Sequence, residues 1–217
     1  MKIYTVSYEL NRMFQEEGHT VTANLSEADA AALPGGADIS PSLYGSAPHP
    51  KTYAYDALDQ EEVQVIEHCI QNRIPLMGIC HGAQLMCAMA NGSMYQDVNG
   101  HGGLCRHTVV DLRTSAMRVV NSLHHQMMIP PSDAEVLAVA SECTRREYVD
   151  ERGNVVIEEP GRGEDIEAVW FPDLLGLGVQ WHPEMADRDD DSRRYFFELV
   201  DEFILPVVEK GETACAA

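Results

Sequence analysis

The sequence predicts an α/β fold with a central, mainly parallel sheet, helices on both faces and a small antiparallel extension. Strand-like and helix-like segments alternate in the first half of the chain, as they do in parallel sheets, and strand-like segments follow one another in the second half. The chain has 217 residues, 45% of them hydrophobic, which suits one full core. Because no repeat or linker divides the chain, we predict a single domain over residues 1–217, with a frayed tail at residues 208–217.

The first half of the chain predicts alternating strands and helices. Segments rich in β-branched and aromatic residues predict strands, and apolar residues at helical spacing predict helices. In chain order these are a strand at Lys2–Val6, a helix at Tyr8–Gly18, strands at Thr20–Asn24 and Ala30–Leu33, a helix at Ala57–Asn72, a strand at Ile74–Ile79 and a helix opening at Gly82–Met89. The second and third strands are too close in sequence for a helix between them, so we expect a thinner sheet or an open edge there.

The second half predicts mostly strands. The segments on either side of the turn DERGN should pair as a hairpin, and the acidic run DRDDD should form a solvated loop before the last helix. The predicted elements are strands at Met94–Gln96, Thr108–Leu112, Met117–Val119, Ala134–Ser141, Glu147–Val149, Val155–Glu158, Ile166–Phe171 and Gly176–Trp181, and a helix at Arg193–Ile204.

Charge and cysteine content argue against several classes of function. The 35 acidic and 15 basic residues give a net charge of −20, and nucleic-acid binding needs clustered lysine and arginine. No apolar stretch reaches the roughly 18 residues that span a membrane, and the N-terminus lacks a signal-peptide pattern. The six cysteines form no CxxC pair, which argues against structural zinc and predicts reduced thiols in the cytoplasm.

The segment PLMGICHGAQLM predicts a sharp turn from a strand into a helix, with Cys80 at the turn. Such a turn strains its central residue and requires small residues two positions before and after it, which are Gly78 and Gly82. The N–H groups at a helix start favour the thiolate form of cysteine, and the N–H of His81 would point toward an oxyanion. We therefore interpret Cys80 as a nucleophile, although a buried thiol beside a tight turn is the simpler alternative.

The segment GVQWHPE supplies the base that a thiol nucleophile needs. His182 and Glu184 are two positions apart after a predicted strand, so their side chains share one side of an extended segment. Glu184 would then hold the His182 ring in the right tautomer and stabilise its charged form.

These motifs resemble those of the class I glutamine amidotransferase family, whose triad is Cys-His-Glu in this order. The segments LPGGADISPSLYG and NSLHHQ are similar to the γ-glutamyl peptide hydrolase branch, which includes γ-glutamyl-γ-aminobutyrate hydrolase. The similarity covers roughly Ala31 to Pro206. It implies a flavodoxin-like fold and a cysteine-nucleophile hydrolase of γ-glutamyl amide bonds that forms a glutamyl thioester.

The resemblance also implies roles for matched residues. Cys80 would be the nucleophile, His182 the base and then the acid, and Glu184 the orienting group. The turn at Gly35 and Gly36 would supply the second oxyanion N–H. The implied substrate-binding residues are Gln84, which would hold the glutamyl part, and His124 and His125 near the leaving group. One departure is His81, because the relatives carry arginine at this position, and that difference could alter the outer pocket.

Several alternatives stay open from the sequence. His101 and His107 in HGGLCRH could form a metal pair, but a role in loop structure or in the pocket is preferred, and neither a metal nor an organic cofactor is predicted. The protein could instead be a glutaminase subunit that delivers ammonia to a separate synthetase chain. A non-catalytic binding module on the same fold is the least favoured hypothesis. The expected partner is a small γ-glutamyl substrate, with no nucleic acid and no membrane.

Overall fold

The computed structural model describes residues 1–161 and 163–215. Its α-helices are α1 (Tyr8–Glu16), α2 (Asp56–Asn72), α3 (His81–Met89), α4 (Asp191–Leu199) and α5 (Leu205–Cys215). Its strands are β1 (Lys2–Tyr4), β2 (Thr20–Thr22), β3 (Ala30–Leu33), β4 (Leu76–Ile79), β5 (Ser93–Tyr95), β6 (Asp97–Val98), β7 (Cys105–Asp111), β8 (Met117–Ser122), β9 (Met127–Ile129), β10 (Glu135–Ala140), β11 (Arg146–Val149), β12 (Val155–Glu158), β13 (Ile166–Phe171) and β14 (Gly176–Val179).

A nine-stranded sheet in the order β2-β1-β3-β4-β14-β13-β10-β7-β8 forms the centre of the protein. Its first five strands are parallel, and each later neighbour pairs antiparallel. A three-stranded sheet β12-β11-β6 and the pair β5-β9 complete the antiparallel part. The predicted α/β class is confirmed, and the antiparallel extension contains the predicted hairpin of β11 and β12.

Helices cover both faces of the central sheet. One buried apolar cluster joins β1 to residues of α1 and α4, among them Phe14 and Phe196, and Trp181 lies in the same cluster. A second cluster packs α2 and α3 on the sheet through residues such as Ile66 and Met86. Among the described residues, no helix is both long and apolar enough to cross a membrane.

The N-terminal segment leaves one edge of the sheet open, and a π-helical segment divides the C-terminal helices. A single 3₁₀ turn at Leu25–Glu27 connects β2 to β3, so β2 lies at the open edge that the short N-terminal segment predicts. At the other end, a π-helical segment at Val200–Ile204 separates α4 from α5. Pro206 follows this segment, and the wider turn accommodates a residue that has no N–H to donate.

The sequence predicts one helix at Arg193–Ile204, where the structure has most of α4 and the π-helical segment, and α5 follows where no helix is predicted. The tail expected to fray at residues 208–217 is described as far as Cys215, where α5 ends, and residues 216 and 217 lie outside the described residues.

Candidate active site

The turn between β4 and α3 holds Cys80 in a strained conformation. Cys80 has φ 49° and ψ −102°, which is unusual for a residue with a side chain. Such strain persists only where the surrounding structure enforces it, and it is concentrated at functional sites. The residue is 5% exposed. The predicted strand, turn and helix are therefore present around this thiol.

Backbone crowding enforces the turn. A Cβ atom at Gly78 would lie 2.6 Å from the Ala83 nitrogen, and one at Gly82 would lie 2.6 Å from the Leu33 Cβ. No side chain fits at either position without backbone movement. The Gly82 N–H donates to the Pro34 carbonyl oxygen at 3.1 Å, which joins the start of α3 to the loop that follows β3. Both glycines thus allow β4, the start of α3 and the loop after β3 to approach one another closely around Cys80.

The loop after β3 brings Gly35 against the reactive side chains. A Cβ at Gly35 would lie 2.6 Å from His182 Cε1 and 3.7 Å from Cys80 Cβ. Gly35 therefore sits beside both side chains, and a larger residue would displace the histidine ring. A Cβ at Gly36 would meet the His81 ring at 3.2 Å. These contacts place both glycines at the site, while the assignment of oxyanion N–H groups stays a prediction.

His182 and Glu184 follow β14 and contact each other directly. His182 Nδ1 lies 2.7 Å from Glu184 Oε1, and both residues are buried. Asn121 fixes the backbone of His182 from both sides: its Oδ1 accepts from the His182 N–H, and its Nδ2 donates to the His182 carbonyl, each at 2.8 Å. The Arg12 guanidinium donates to the Glu184 carbonyl at 3.3 Å. The imidazole is thus oriented through its ring and through its backbone.

Cys80 and Glu184 both favour the charged form of His182. Burial alone would lower the pKa of His182, but the neighbouring Cys80 and Glu184 outweigh it and raise the pKa to about 10. The second ring nitrogen, Nε2, is buried and has no hydrogen bond of regular geometry to the described residues. Hydrogen bonds at such sites often tighten only when substrate binds. Nε2 is therefore available for proton exchange at the thiol.

The His81 side chain is buried against α2 and the loop after β3, and its effect on the outer pocket stays a prediction. Its Nδ1–H donates to the Ala37 carbonyl at 2.6 Å, and its Nε2 lies 3.1 Å from Glu62 Oε2 and 3.6 Å from Asp59 Oδ1. Burial lowers the pKa of His81, but Glu62, Ala37 and Asp59 together raise it above its ordinary value. His81 therefore ties the turn to α2 and to the Gly35–Gly36 loop.

The structure gives Gln84 and His124 contacts with the segment after β8. Gln84 Nε2 donates to the Gln126 carbonyl at 3.0 Å, and His124 Nδ1–H donates to the same oxygen at 2.9 Å. Gln180 Nε2 also approaches this carbonyl, at 3.3 Å. The His124 ring belongs to a buried cluster with His101, whose ring centroid lies 4.7 Å away. The substrate roles of Gln84 and His124 stay predictions.

His125 points to a charged rim beside the Gly35–Gly36 loop. Its Nε2 lies 2.9 Å from Asp38 Oδ1, and its Nδ1 lies 3.6 Å from Asp97 Oδ1. Asp38 contributes most to raising the pKa of His125 above its ordinary value, and burial opposes it. Lys51 pairs with Asp97 on the same rim. His125 is thus held among acidic side chains at the border of the site, and its substrate role also stays a prediction.

Two features of the site could not be identified from sequence motifs. Asn121 lies in a strand whose alternating pattern gives no reason to connect it with His182. The contacts of Glu62 and Asp59 with His81 cross from α2 to α3, and on α2 alone both carboxylates resemble the solvent-facing side of an amphipathic helix. The only sequence indication in this region is the similarity of the whole segment NSLHHQ, which begins at Asn121, to the γ-glutamyl peptide hydrolase branch.

The His182 pKa gives a pH test of the site. We expect the ring to titrate near pH 10 and Glu184→Gln to move its pKa downward, because Glu184 helps to raise it. Since the folded pKa lies above the unfolded value, the stabilisation from His182 is complete below about pH 6.5 and is lost as the pH rises through 10. NMR titration of the ring nitrogens measures this, with His68→Gln as the control, because His68 is a half-buried residue of α2 outside the proposed site. A pKa at or below its ordinary value, unmoved by Glu184→Gln, would contradict the assignment.

Comparisons with known proteins give the family and the fold of the chain. A family description, Peptidase C26, matches residues 12–184. The glutamine amidotransferase-like protein YvdE of Lactococcus lactis is 28% identical over 217 residues, covering 86% of this chain and 84% of that protein. The carbamoyl phosphate synthase small chain of Helicobacter pylori is 29% identical over 142 residues, covering 65% of this chain and 33% of that protein. The solved structure of PurLQS from Thermotoga maritima shares the fold, with a TM-score of 0.64 and 12% identity over 94% of this chain and 97% of that chain. The chain therefore belongs to the Peptidase C26 family and has the flavodoxin-like fold of class I glutamine amidotransferases.

Proposed function

We propose that the protein hydrolyses γ-glutamyl amide bonds, with Cys80 as nucleophile, His182 as base and acid, and Glu184 as the orienting group. The observation that carries this proposal is the position of the His182 ring. It lies 2.7 Å from Glu184 through Nδ1, and Gly35 lies against both this ring and the Cys80 side chain, where a Cβ would be 2.6 Å from His182 Cε1 and 3.7 Å from Cys80 Cβ. Membership of a hydrolase-type family supports the same reaction class.

The geometry supports acyl transfer in two steps. The Cys80 proton passes to His182 Nε2, a transfer that the raised pKa of His182 favours, and the thiolate sulfur attacks the γ-carbonyl carbon to form a tetrahedral oxyanion. The oxyanion would be bound by the N–H groups of His81 and of Gly35 or Gly36. The C–N bond then breaks, and His182 gives its proton to the departing amine. His182 next takes a proton from water, the hydroxide attacks the thioester, and glutamate leaves as Cys80 regains its proton.

The surrounding residues would divide the pocket between the two parts of the substrate. The glutamyl part would lie toward Gln84, next to the start of α3, where helix N–H groups favour its carboxylate. The leaving amine would lie toward His125 and the segment Ser40–Tyr55. In this segment Tyr53 and Tyr55 are exposed and pack edge to face at 5.3 Å. The acidic Asp38 lies close by and bonds the Tyr53 N–H at 2.7 Å.

A glutaminase subunit is the second candidate function. The relative named as a carbamoyl phosphate synthase small chain supports it, because that name describes one chain of a synthetase. The chemistry at Cys80 would be unchanged, and the leaving group would be ammonia passed to another chain. A non-catalytic module is disfavoured because Cys80, His182 and Glu184 are all present, and Cys80 and Glu184 both raise the pKa of His182 against the effect of burial.

Substitutions at the three residues should differ in severity. We expect Cys80→Ala to lower kcat by at least about 10⁴-fold and His182→Ala to be nearly as damaging, since the two act as one unit. Glu184→Gln should be milder because the base remains. Steady-state kinetics of glutamate release measures each effect, with Cys105→Ser as the control thiol substitution and circular dichroism as the check on folding. Substantial activity in Cys80→Ala would remove Cys80 from the mechanism, and a larger loss in Glu184→Gln than in His182→Ala would reverse the assigned roles.

A substrate panel separates the two candidate functions. The isolated protein should cleave at least one γ-glutamyl amine or peptide faster than glutamine, because the segment Ser40–Tyr55 offers contacts to a larger leaving group. The panel should include cationic, neutral and anionic amines, since the rim around His125 holds the carboxylates of Asp38 and Asp97 as well as the Lys51 ammonium. Shortening the segment should raise KM for the preferred amide more than for glutamine. A protein that is inert toward the panel, and that gains glutaminase activity only with a synthetase chain, would favour the subunit instead.

A further inference from the structure

A buried cluster of histidines surrounds one carboxylate outside the proposed catalytic residues. His101 Nδ1 and His107 Nε2 each lie 3.1 Å from Glu167 Oε1, and His124 Nε2 lies 3.6 Å from the same atom. Glu167 is fully buried, and His101 and His124 are 2% and 4% exposed. The sequence leaves a metal pair at His101 and His107 as the less favoured alternative, and His124 and Glu167 come from other segments that only the fold brings to this pair.

The contacts within this cluster are close ion-pair contacts, but their geometry is irregular for hydrogen bonds. Both Glu167 oxygens, His101 Nδ1, His107 Nε2 and His124 Nε2 are buried and lack a hydrogen-bond partner of regular geometry among the described residues. A buried carboxylate needs a counter-charge, so buried charges are paired with a cation or coordinate a metal. Three histidine nitrogens lie 3.1–3.6 Å from Glu167 Oε1, and ligand atoms around a shared metal ion would have a similar arrangement.

The outer contacts of two rings determine which nitrogens face inward. The Gln126 carbonyl can only accept, so His124 Nδ1 carries the proton of their 2.9 Å bond. His101 Nε2 is 3.0 Å from Asp165 Oδ2, which favours a proton on that nitrogen. The inward nitrogens His124 Nε2 and His101 Nδ1 face the Glu167 carboxylate and present lone pairs there when the rings are neutral. Burial lowers the pKa of His101, but Asp165 and Glu167 raise it to about 9, so an ion at this site would have to displace a proton from that ring. Histidine ligands of metals are oriented by such outer carboxylate and carbonyl partners.

We propose that His101, His124 and Glu167 bind a divalent transition-metal ion, with Zn²⁺ as the leading candidate and His107 as a further donor. One ligand atom from each of the first three residues lies within 4.8 Å of the others. Zinc bonds of about 2.0–2.2 Å place tetrahedral ligand atoms about 3.3 Å apart. The observed separations of 3.1 and 3.6 Å from Glu167 Oε1 bracket that value. Imidazole and carboxylate donors suit zinc and the neighbouring transition metals.

A cavity gives an ion a route to the cluster. It has a volume of about 320 Å³, and its lining includes His101, His107 and Thr144. The His107 side chain is 18% exposed, so it lies between the cavity and the buried ligands. Thr144 bonds Asp165 Oδ2 through its N–H and its hydroxyl, at 2.9 and 2.7 Å, and thereby holds the outer partner of His101.

The position of the cluster indicates a structural ion. His101 lies before β7, His107 on β7, His124 after β8 and Glu167 on β13, so one ion would join four segments. The Gln126 carbonyl that orients His124 also accepts from Gln84 on α3. The ion would thus hold the wall of the pocket in place without entering the reaction. A proton on one ring is the alternative way to compensate the Glu167 charge.

Metal binding by the purified chain tests this proposal without any measurement of turnover. Tag-free protein is stripped with a chelator and titrated with Zn²⁺ by calorimetry and with Co²⁺ by absorption spectroscopy. We expect one ion per chain, a Tm that rises with Zn²⁺ concentration, and X-ray absorption that shows at least two imidazole ligands. Glu167→Gln and His124→Gln should each weaken Zn²⁺ binding by more than about 100-fold, since loss of even an outer partner costs about 10–100-fold. His68→Gln on α2 is the control and should bind as the wild type does.

Two results would overturn the proposal. One is a stripped wild-type protein that binds no stoichiometric ion, which would leave a proton as the counter-charge of Glu167. The other is folded Glu167→Gln and His124→Gln variants that bind Zn²⁺ as tightly as His68→Gln does. If a variant fails to fold, the wild-type stoichiometry and ligand count still decide, because a surface site would not contain two imidazole ligands.

Discussion

The close approach of three backbone segments around Cys80 is the constraint on which the site depends. The turn from β4 into α3, the loop after β3 and the segment after β14 meet where Gly78, Gly82 and Gly35 lack side chains. A Cβ at any of the three would come within 2.6 Å of a neighbouring atom. Glycine at these positions lets Cys80 keep its positive φ beside the His182 ring. The parallel order of β3, β4 and β14 then brings their carboxyl ends together at one edge of the sheet.

Local charge at the site differs from the charge of the whole protein. The chain carries a net charge of −20, yet a γ-glutamyl substrate brings a carboxylate of its own. At physiological ionic strength, distant surface charges are screened beyond about 8 Å. Close to Cys80, the start of α3 provides positive potential, and the raised pKa of His182 favours a charged ring there. Glu184 favours that charged form, so an acidic residue supports a basic environment at the thiol.

Local signals predicted the motifs, while their mutual positions required the fold. Turn geometry was enough to interpret Cys80, between two glycines, as a nucleophile. Strand periodicity was enough to place His182 and Glu184 on the same side of one segment. Glu167 shows the limit of such reasoning, because on β13 it occupies a place between apolar neighbours that gives no sign of full burial. Its surroundings come from loops and strands distant in sequence. The division of the last helix was also missed, since helical periodicity continues through the π-helical segment and only Pro206 marked a change.

The central claim is that Cys80 becomes acylated by the glutamyl group during turnover. The most direct measurement is rapid acid quenching of a reaction with an activated γ-glutamyl anilide, followed by intact mass spectrometry and peptide mapping. We predict a glutamyl adduct that forms as the amine is released, maps to Cys80 and is removed by hydroxylamine. Amine release with Cys80 unmodified at every time point, or with the glutamyl group on another residue, would contradict the account.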